Sequence, residues 1–384
     1  MADIGLNQTV SIKGRKFHVQ TATNLEDGYI RTEVFEQGRV IYSELNKYER
    51  RDSTQESGAE LRLRRIVDQF HHNTISGLET LFELSEIIRD KQHHISHYRL
   101  GAIFLSLHLF DKAEENLMKA IDIDPDYHPA HVVLARCYYL QKRYQQAAQV
   151  LEPLVRSHIA YPDLYNLYGL ILLEQKNYVH ALNHFRHAIK LNPKYKEAFY
   201  NLAIAILQRI NFLRMQNKKE EIQKNTEFLV LVLNKIDKIG NKKDHILVAQ
   251  VLQALRSKNY GKLHSLIYDF RNKNFLQVVP PAVVGYEFYL WLRYLPDRLD
   301  YETLKYFEEK ISCTLKDNTD FPDMWNYLAL IHLMLCRDYF LRGLDNFKEA
   351  TKINPRFTKA RKNLRLVEND GREFLSLIKA IVKD

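Results

Sequence analysis

The hydrophobic pattern of the chain is mainly helical, and its most regular part repeats with a fixed period. Small residues stand in the middle of successive apolar stretches, each 34 residues after the last: Gly101, Ala135, Gly169 and Ala203. Two further rows keep the same interval: Phe104, Tyr138, Leu172 and Ile206, and Ala113, Ala147 and Ala181. Several rows in register at this period predict an array of stacked helical units.

The spacing within one unit has a physical reason. Two antiparallel helices approach closely only where side chains are small, so Gly169 on the first helix and Ala181 on the second mark a crossing. Proline lacks the amide donor that a helix needs, so Pro125 and Pro193 end the second helices. Each unit is therefore predicted to be a helical hairpin.

The spacing within these units resembles that of the tetratricopeptide repeat. One unit is marked by Gly101, Phe104, Ala113, Leu117, Ala120 and Pro125, and the unit around Gly169 matches as well. The resemblance implies a mainly α fold, a right-handed α-solenoid of helix pairs. It also implies a non-catalytic scaffold or adaptor, whose first helices line a concave groove that binds a peptide or amphipathic helix of a partner protein.

The family geometry assigns a set of residues to this groove. They are Tyr98, Leu105, Val132, Arg136, Tyr139, Asn166, Leu170, Leu173, Tyr200, Ile204 and Leu207. The alternative is that some of the aromatic side chains only pack between units. The Lys, Asn and Arg clamp with which related domains bind a chaperone's C-terminal carboxylate is missing, so an apolar or amphipathic ligand fits better.

A segment of different character precedes the repeats. Apolar residues alternate with polar ones at the two-residue period of strands, and Lys13-Gly14, Asp27-Gly28 and Gln37-Gly38 separate the runs. We expect a four-stranded antiparallel β-meander in residues 1–50. Because such a sheet is too small to stand alone, a helix over 57–73 should cover it, followed by a second helix over 75–91.

The remaining boundaries follow from where the period holds and where it breaks. Residues 51–92 are interpreted as a helical connector and residues 93–215 as regular repeat units. Residues 216–320 keep a helical period without the repeat signature, which indicates degenerate helix pairs continuing the superhelix. Residues 321–384 are expected to hold a last unit, marked by Gly343 and Phe347 on its second helix, and closing helices.

Composition narrows the function only slightly. The net charge is +9, but 56 basic and 47 acidic residues are interleaved along the helices, which is typical of solvated faces. A nucleic-acid or regulatory binding protein that uses the basic faces is the alternative function. We see no signal peptide, no membrane span and no paired cysteines. These observations favour a cytoplasmic location and reduced cysteines in the core.

We find no enzyme motif in the sequence, and we expect no catalytic residues, cofactor or metal. His180, His184 and His187 have the spacing of one helix face and would allow a zinc-dependent enzyme, as would His93, His94 and His97. A polar helix face and helix-end packing are the simpler interpretations. The small β-module joined to repeats suggests a bacterial protein that serves a motility or envelope machine. The oligomeric state and the partner stay open.

Overall fold

The computed structural model describes residues 4–24, 28–48, 56–276, 282–317, 321–356 and 358–383. Its strands are β1 (Gly5–Ile12), β2 (Arg15–Asn24), β3 (Tyr29–Glu36) and β4 (Arg39–Lys47). The helices up to the end of the regular repeats are α1 (Glu56–Ile88), α2 (His94–Ser106), α3 (Phe110–Ile123), α4 (His128–Leu140), α5 (Tyr144–Arg156), α6 (Pro162–Glu174) and α7 (Tyr178–Leu191). The later helices are α8 (Lys196–Met215), α9 (Lys219–Ile239), α10 (Lys242–Arg256), α11 (Tyr260–Arg271), α12 (Ala282–Tyr294), α13 (Tyr301–Asp317), α14 (Pro322–Ile353) and α15 (Thr358–Lys383).

The contacts divide the chain into two compact units, and the division differs from the one expected from the sequence. The first unit comprises Met1–Lys91, Ser106–His108 and Pro280–Asp384, and the second comprises Gln92–Leu105 and Leu109–Val279. The expected stretch of degenerate pairs over 216–320 is therefore shared between the units. Helices α9 to α11 belong to the second unit, and α12 and α13 belong to the first.

The predicted four-stranded meander is confirmed in the first unit. The strands pair antiparallel in the order β1-β2-β3-β4. Gly14 and Gly38 close two of the hairpins with φ values of +79° and +77°, a conformation that costs glycine little because it has no Cβ. Asp27 of the predicted middle turn lies outside the described residues.

Helix α1 covers one face of this sheet, but its extent corrects the sequence prediction. One helix of 33 residues replaces the two expected over 57–73 and 75–91. Leu63 and Val67 pack against Ile30 of the sheet, whereas Leu61 on the same helix is 55% exposed. The helix continues past the expected break because its later turns also bury apolar side chains; Phe82, for example, packs its ring on Phe17.

The C-terminal helices of the first unit contact the sheet and α1, although more than 200 residues separate them in the sequence. Arg298 donates two hydrogen bonds of 2.7 Å to the carboxylate of Glu83 on α1. Lys310 on α13 is held near Tyr42 and Glu44 of β4. Burial alone would lower the pKa of Lys310, but its anionic and phenolic neighbours raise it.

The predicted last helix pair is wrong. Residues expected to form two helices form one, α14, which runs for 32 residues without a turn. Met334 and Leu335 lie in its middle and are buried in the core of the C-terminal helices, so the backbone is continuous where a reversal was expected.

Cys313 and Cys336 are exposed and only Cys137 is buried, which corrects the expectation of three core cysteines.

The second unit contains the repeats, and its helix crossings confirm the role of the periodic small residues. A Cβ on Gly101 would lie 2.7 Å from Leu117 Cγ, and a Cβ on Gly169 would lie 2.7 Å from Phe185 Cε1. The turns inside successive repeats place Lys142 and Lys176, 34 residues apart, in the left-handed region with φ values of 61° and 60°. The helix pairs thus stack as an α-solenoid, as expected from the period.

Candidate protein-binding groove

The first helices of the repeats, α2, α4, α6 and α8, carry the residues expected to form the groove. Helix α4 contacts α6, and α6 contacts α8. Nine of the eleven predicted groove residues are buried: Tyr98, Leu105, Val132, Asn166, Leu170, Leu173, Tyr200, Ile204 and Leu207. Arg136 and Tyr139 are half-buried. The structure therefore leaves these two side chains accessible and encloses the others.

The chain's own helices enclose the groove residues of α8. Tyr200 is 1% exposed and donates a hydrogen bond of 2.6 Å to Asp244 on α10. Its ring also packs on Phe270 and Phe275, with centroids 5.2 and 5.5 Å away. Helices α10 and α11 thus take the place that an external ligand would need at Tyr200.

Charge reinforces this closure. Lys196 Nζ on α8 lies 3.0 Å from Asp244 Oδ2. Burial alone would raise the pKa of Asp244, but hydrogen bonds from Tyr200 and the Asn241 backbone, together with Lys196, lower it. Burial and the hydrogen bond to Asp244 raise the pKa of Tyr200. The phenol thus stays protonated and the carboxylate stays ionised, so the contact is a charge-assisted hydrogen bond.

A buried polar network joins α6 to α8. Asn201 Nδ2 donates to Asn166 Oδ1 at 2.9 Å, and Asn166 Nδ2 donates to the Tyr195 hydroxyl at 3.2 Å. Tyr195 is in turn hydrogen-bonded to Asp163. Asn166 was predicted to face a ligand, but its amide is used in this network between repeats.

Arg136 on α4 supplies the positive charge beside the network. Burial alone would lower the pKa of Arg136, but the carboxylates of Glu197 and Asp163 are among the groups that raise it. Glu197 is only 9% exposed, and its Oε1 atom has no hydrogen-bond donor among the described residues. This part of the groove therefore combines one cation, two carboxylates and an unused buried acceptor.

A row of tyrosines at the beginnings of the first helices was missed by the sequence reasoning. Tyr127, Tyr161 and Tyr195 are the N-cap residues of α4, α6 and α8. All three are half-buried, and the Tyr127 ring meets Tyr98 edge-on at 5.2 Å. The signal was available, because the three tyrosines are 34 residues apart. The periodic apolar rows of the helix interiors do not include these positions, because the three tyrosines precede the helices.

The histidine groups make ordinary protein contacts. His184 and His187 pack on the ring of Tyr165, with centroids 6.0 and 4.1 Å away. His93 Nδ1 lies 2.8 Å from Ser96 Oγ, at the beginning of α2. Within the described residues, no three His, Cys, Asp or Glu side chains come together as a possible metal site.

The comparison with protein families agrees with this geometry. Two tetratricopeptide repeat models match the chain, one over residues 104–171 and one over residues 162–195. Residues 104–195 therefore consist of tetratricopeptide repeats. Such repeats are protein-binding modules, and proteins of this family are generally non-catalytic. The repeats therefore support a protein–protein interaction scaffold as the class of protein. No curated protein sequence matches the chain.

Solved structures with similar folds are also repeat proteins. YrrB, described as a tetratricopeptide repeat protein with an unusual peptide-binding site, is 12% identical over 63% of this chain and 95% of its own, with a TM-score of 0.33. MamA from Desulfovibrio magneticus RS-1 is 20% identical over 47% of this chain and 97% of its own, with a TM-score of 0.36. PilF from Pseudomonas aeruginosa is 18% identical over 62% of this chain and 96% of its own, with a TM-score of 0.36. Similarities of this size carry no functional conclusion.

In the part of the chain that the structure describes, no helix is both long enough and apolar enough to cross a membrane.

Proposed function

We propose that the chain is a non-catalytic scaffold that binds a segment of a partner protein along α2, α4, α6 and the first turn of α8. The observation that carries this proposal is the row of half-buried tyrosines 127, 161 and 195 at the beginnings of α4, α6 and α8. Tyr161 and Tyr195 also lie near enough to Arg136 to raise its pKa. Tyrosine rings bury a large area at a small cost in side-chain entropy, so such a row is suited to holding a peptide.

The polar groups restrict the chemistry of the bound segment. Glu197 Oε1 and Asn201 Oδ1 are buried acceptors without a donor among the described residues. An unpaired buried acceptor costs about 1–3 kcal/mol, and a ligand N–H group would recover that energy. The segment is therefore proposed to be amphipathic, with apolar side chains against the tyrosines and an N–H donor directed to Glu197.

The position of the ligand follows from the closure at α8. Tyr200, Ile204 and Leu207 are enclosed within the protein, so the proposed contact surface uses Tyr139 and Arg136 with the tyrosine row. We place the binding function in the cytoplasm of a bacterium, in the assembly of a motility or envelope machine. This part of the proposal rests on the pairing of a small sheet with repeats.

The alternative is nucleic-acid or regulatory binding through basic faces. Arg361, Lys362 and Arg365 are exposed together on α15 and are the observation in its favour. Retention of the protein on immobilised RNA, lost at high salt and in a triple alanine variant of these residues, would favour this alternative over the scaffold.

Selection from a random peptide library tests the groove proposal. Peptides enriched by the wild-type protein are measured by fluorescence anisotropy against Tyr161→Ala and against the control Tyr168→Ala. Tyr168 lies on the same helix but packs on His184, with ring centroids 4.9 Å apart. We expect Tyr161→Ala to weaken binding at least tenfold, about 1.4 kcal/mol, and the control to have little effect. Equal affinities for both folded variants would reject the groove.

A further inference from the structure

A second groove lies between α7 and α9, which both pack on α8. Its volume is about 520 Å³, and it is open to solvent. The apolar side chains that line it come from all three helices: Ile189 of α7, Phe199 and Leu202 of α8, and Phe228, Leu231 and Val232 of α9. We call it the α7–α9 groove. Its two sides are the second helices of two repeats, and its lining includes none of the three tyrosines of the tyrosine row.

The apolar surface of this groove is unusually accessible at Leu231. This side chain is 62% exposed, although it stands beside buried Val232 and half-buried Phe228 on the same helix. A single exposed leucine needs no explanation. Here the leucine continues the apolar lining of the groove, so the two form one apolar surface with a polar rim.

The rim of the α7–α9 groove is positively charged. Arg186, Lys235 and Lys238 line it, and all three are exposed. Arg186 lies over the ring of Phe228, 4.4 Å from its centroid, so its charge stays at the edge of the apolar floor. The acidic neighbour on α9, Asp237, is directed to His245 at 2.8 Å. Among the described residues, neither Lys235 nor Lys238 has an acidic partner within ion-pair distance.

We propose that the α7–α9 groove docks an amphipathic helix of a partner protein, with an apolar stripe flanked by Asp and Glu. Charge complementarity favours an acidic partner, because three cationic side chains surround the apolar floor of the groove. The shape of the groove favours a helical ligand, because a groove between two helices accepts the apolar face of a third helix. Phe228 to Lys238 extends about 15 Å at 1.5 Å per residue, which matches about three turns of a docked helix.

This inference is independent of the ligand proposed for the tyrosine row. The residues to be substituted lie on α9, which carries none of the residues of the tyrosine row, and they are exposed, so their substitution should leave the fold intact. The two sites can therefore be tested separately in the same protein. Tyr161→Ala should not change the affinity of the α7–α9 groove for its ligand. Leu231→Asp should not change the affinity for peptides selected for the tyrosine row.

Two synthetic peptides of about 18 residues, five helical turns, serve as probes. Both carry the same Leu and Ala face; one has Glu on the remaining positions and the other has Lys. Their affinities are measured by fluorescence anisotropy for the full chain and for Leu231→Asp, Lys235→Glu with Lys238→Glu, and a control. The control is Lys219→Glu with Lys224→Glu, which makes the same change of charge on exposed positions of α9 outside the groove.

We expect the wild-type chain to bind the Glu peptide at least tenfold more tightly than the Lys peptide. Leu231→Asp should weaken binding of the Glu peptide at least tenfold. Lys235→Glu with Lys238→Glu should reverse the preference and favour the Lys peptide, while the control keeps the wild-type order. The reversal is a gain of binding, so it cannot come from misfolding.

Several results would overturn the proposal. One is no preference for the Glu peptide, and another is an equal loss in the control, which would reflect overall charge. A concentration-dependent dimer that Leu231→Asp converts to monomer in sedimentation would assign the groove to a second copy of the chain. Flotation with phosphatidylglycerol vesicles, lost in Leu231→Asp, would assign it to a lipid surface.

Discussion

The hairpin of α6 and α7 and the single helix α14 carry related rows of small and apolar residues, yet the backbone reverses in one and runs on in the other. In the hairpin, Lys176 adopts a φ of 60° and Gly169 is in close contact with the ring of Phe185. In α14, a Cβ on Gly343 would meet nothing within 4 Å, and Phe347 is only half-buried.

The comparison shows that the apolar rows alone do not make a repeat. A hairpin forms when the small position of one helix receives a large side chain from the next, and that contact offsets the cost of a left-handed residue in the turn. The first half of α14 is already packed with α12 and α13 in the core of the first unit. No comparable contact between its own two halves is left to favour a reversal.

The largest expected effect comes from removing the ring that fills the crossing. Phe185→Ala should destabilise the second unit by about 3–5 kcal/mol, because the ring is fully buried against Gly169 and leaves a cavity. Phe347→Ala in α14 is the matched control, with a much smaller loss. Hydrogen exchange followed peptide by peptide measures both, since local protection separates the two units. Equal losses would break the comparison.

An intermediate effect is expected from filling the glycine positions. Gly169→Leu should cost about 1–3 kcal/mol or more, because the added atoms overlap Phe185. Gly343→Leu has open space and lies inside a helix, where replacing glycine should stabilise by up to about 1 kcal/mol. Thermal melting of the two variants gives opposite signs if the packing is as described. A destabilised Gly343→Leu would mean that α14 is more tightly packed there.

The smallest effect concerns the turn itself. Lys176→Gly should stabilise the hairpin by up to about 1 kcal/mol, since glycine adopts a positive φ without strain from a Cβ. The same change in the middle of α14, Arg337→Gly, should destabilise by about 1 kcal/mol because the helix is continuous there. Urea midpoints of both variants provide the measurement. A stabilised Arg337→Gly would indicate a latent turn in α14.

Much of the candidate site was predictable, and the missing part has a physical explanation. The period placed Val132, Asn166 and Tyr200 on the first helices, because residues 34 apart have the same repeat position and share a face. It did not indicate that Asp244, 44 residues after Tyr200, would bind that hydroxyl. Such a contact depends on where α10 packs, and no periodic signal in α10 specifies its partner.

The α7–α9 groove is a further example. Leu231 and Val232 are neighbours in an apolar run, and the sequence alone does not indicate which of them faces solvent. The answer depends on how α9 packs against α8, which leaves Leu231 exposed and buries Val232. The packing of whole helices is a tertiary property.

The sequence by itself determined the strands with their glycine turns, the helical hairpins and the small residues at their crossings. Each of these depends on contacts between residues close in the chain, or on a period that repeats them. Only the tertiary structure decided that α12 and α13 join the sheet, that α10 and α11 enclose Tyr200, and that α14 is continuous. These outcomes depend on contacts between segments that are distant in the sequence. Such contacts are stabilised by the burial of complementary surfaces, and they produce no periodic pattern in the sequence.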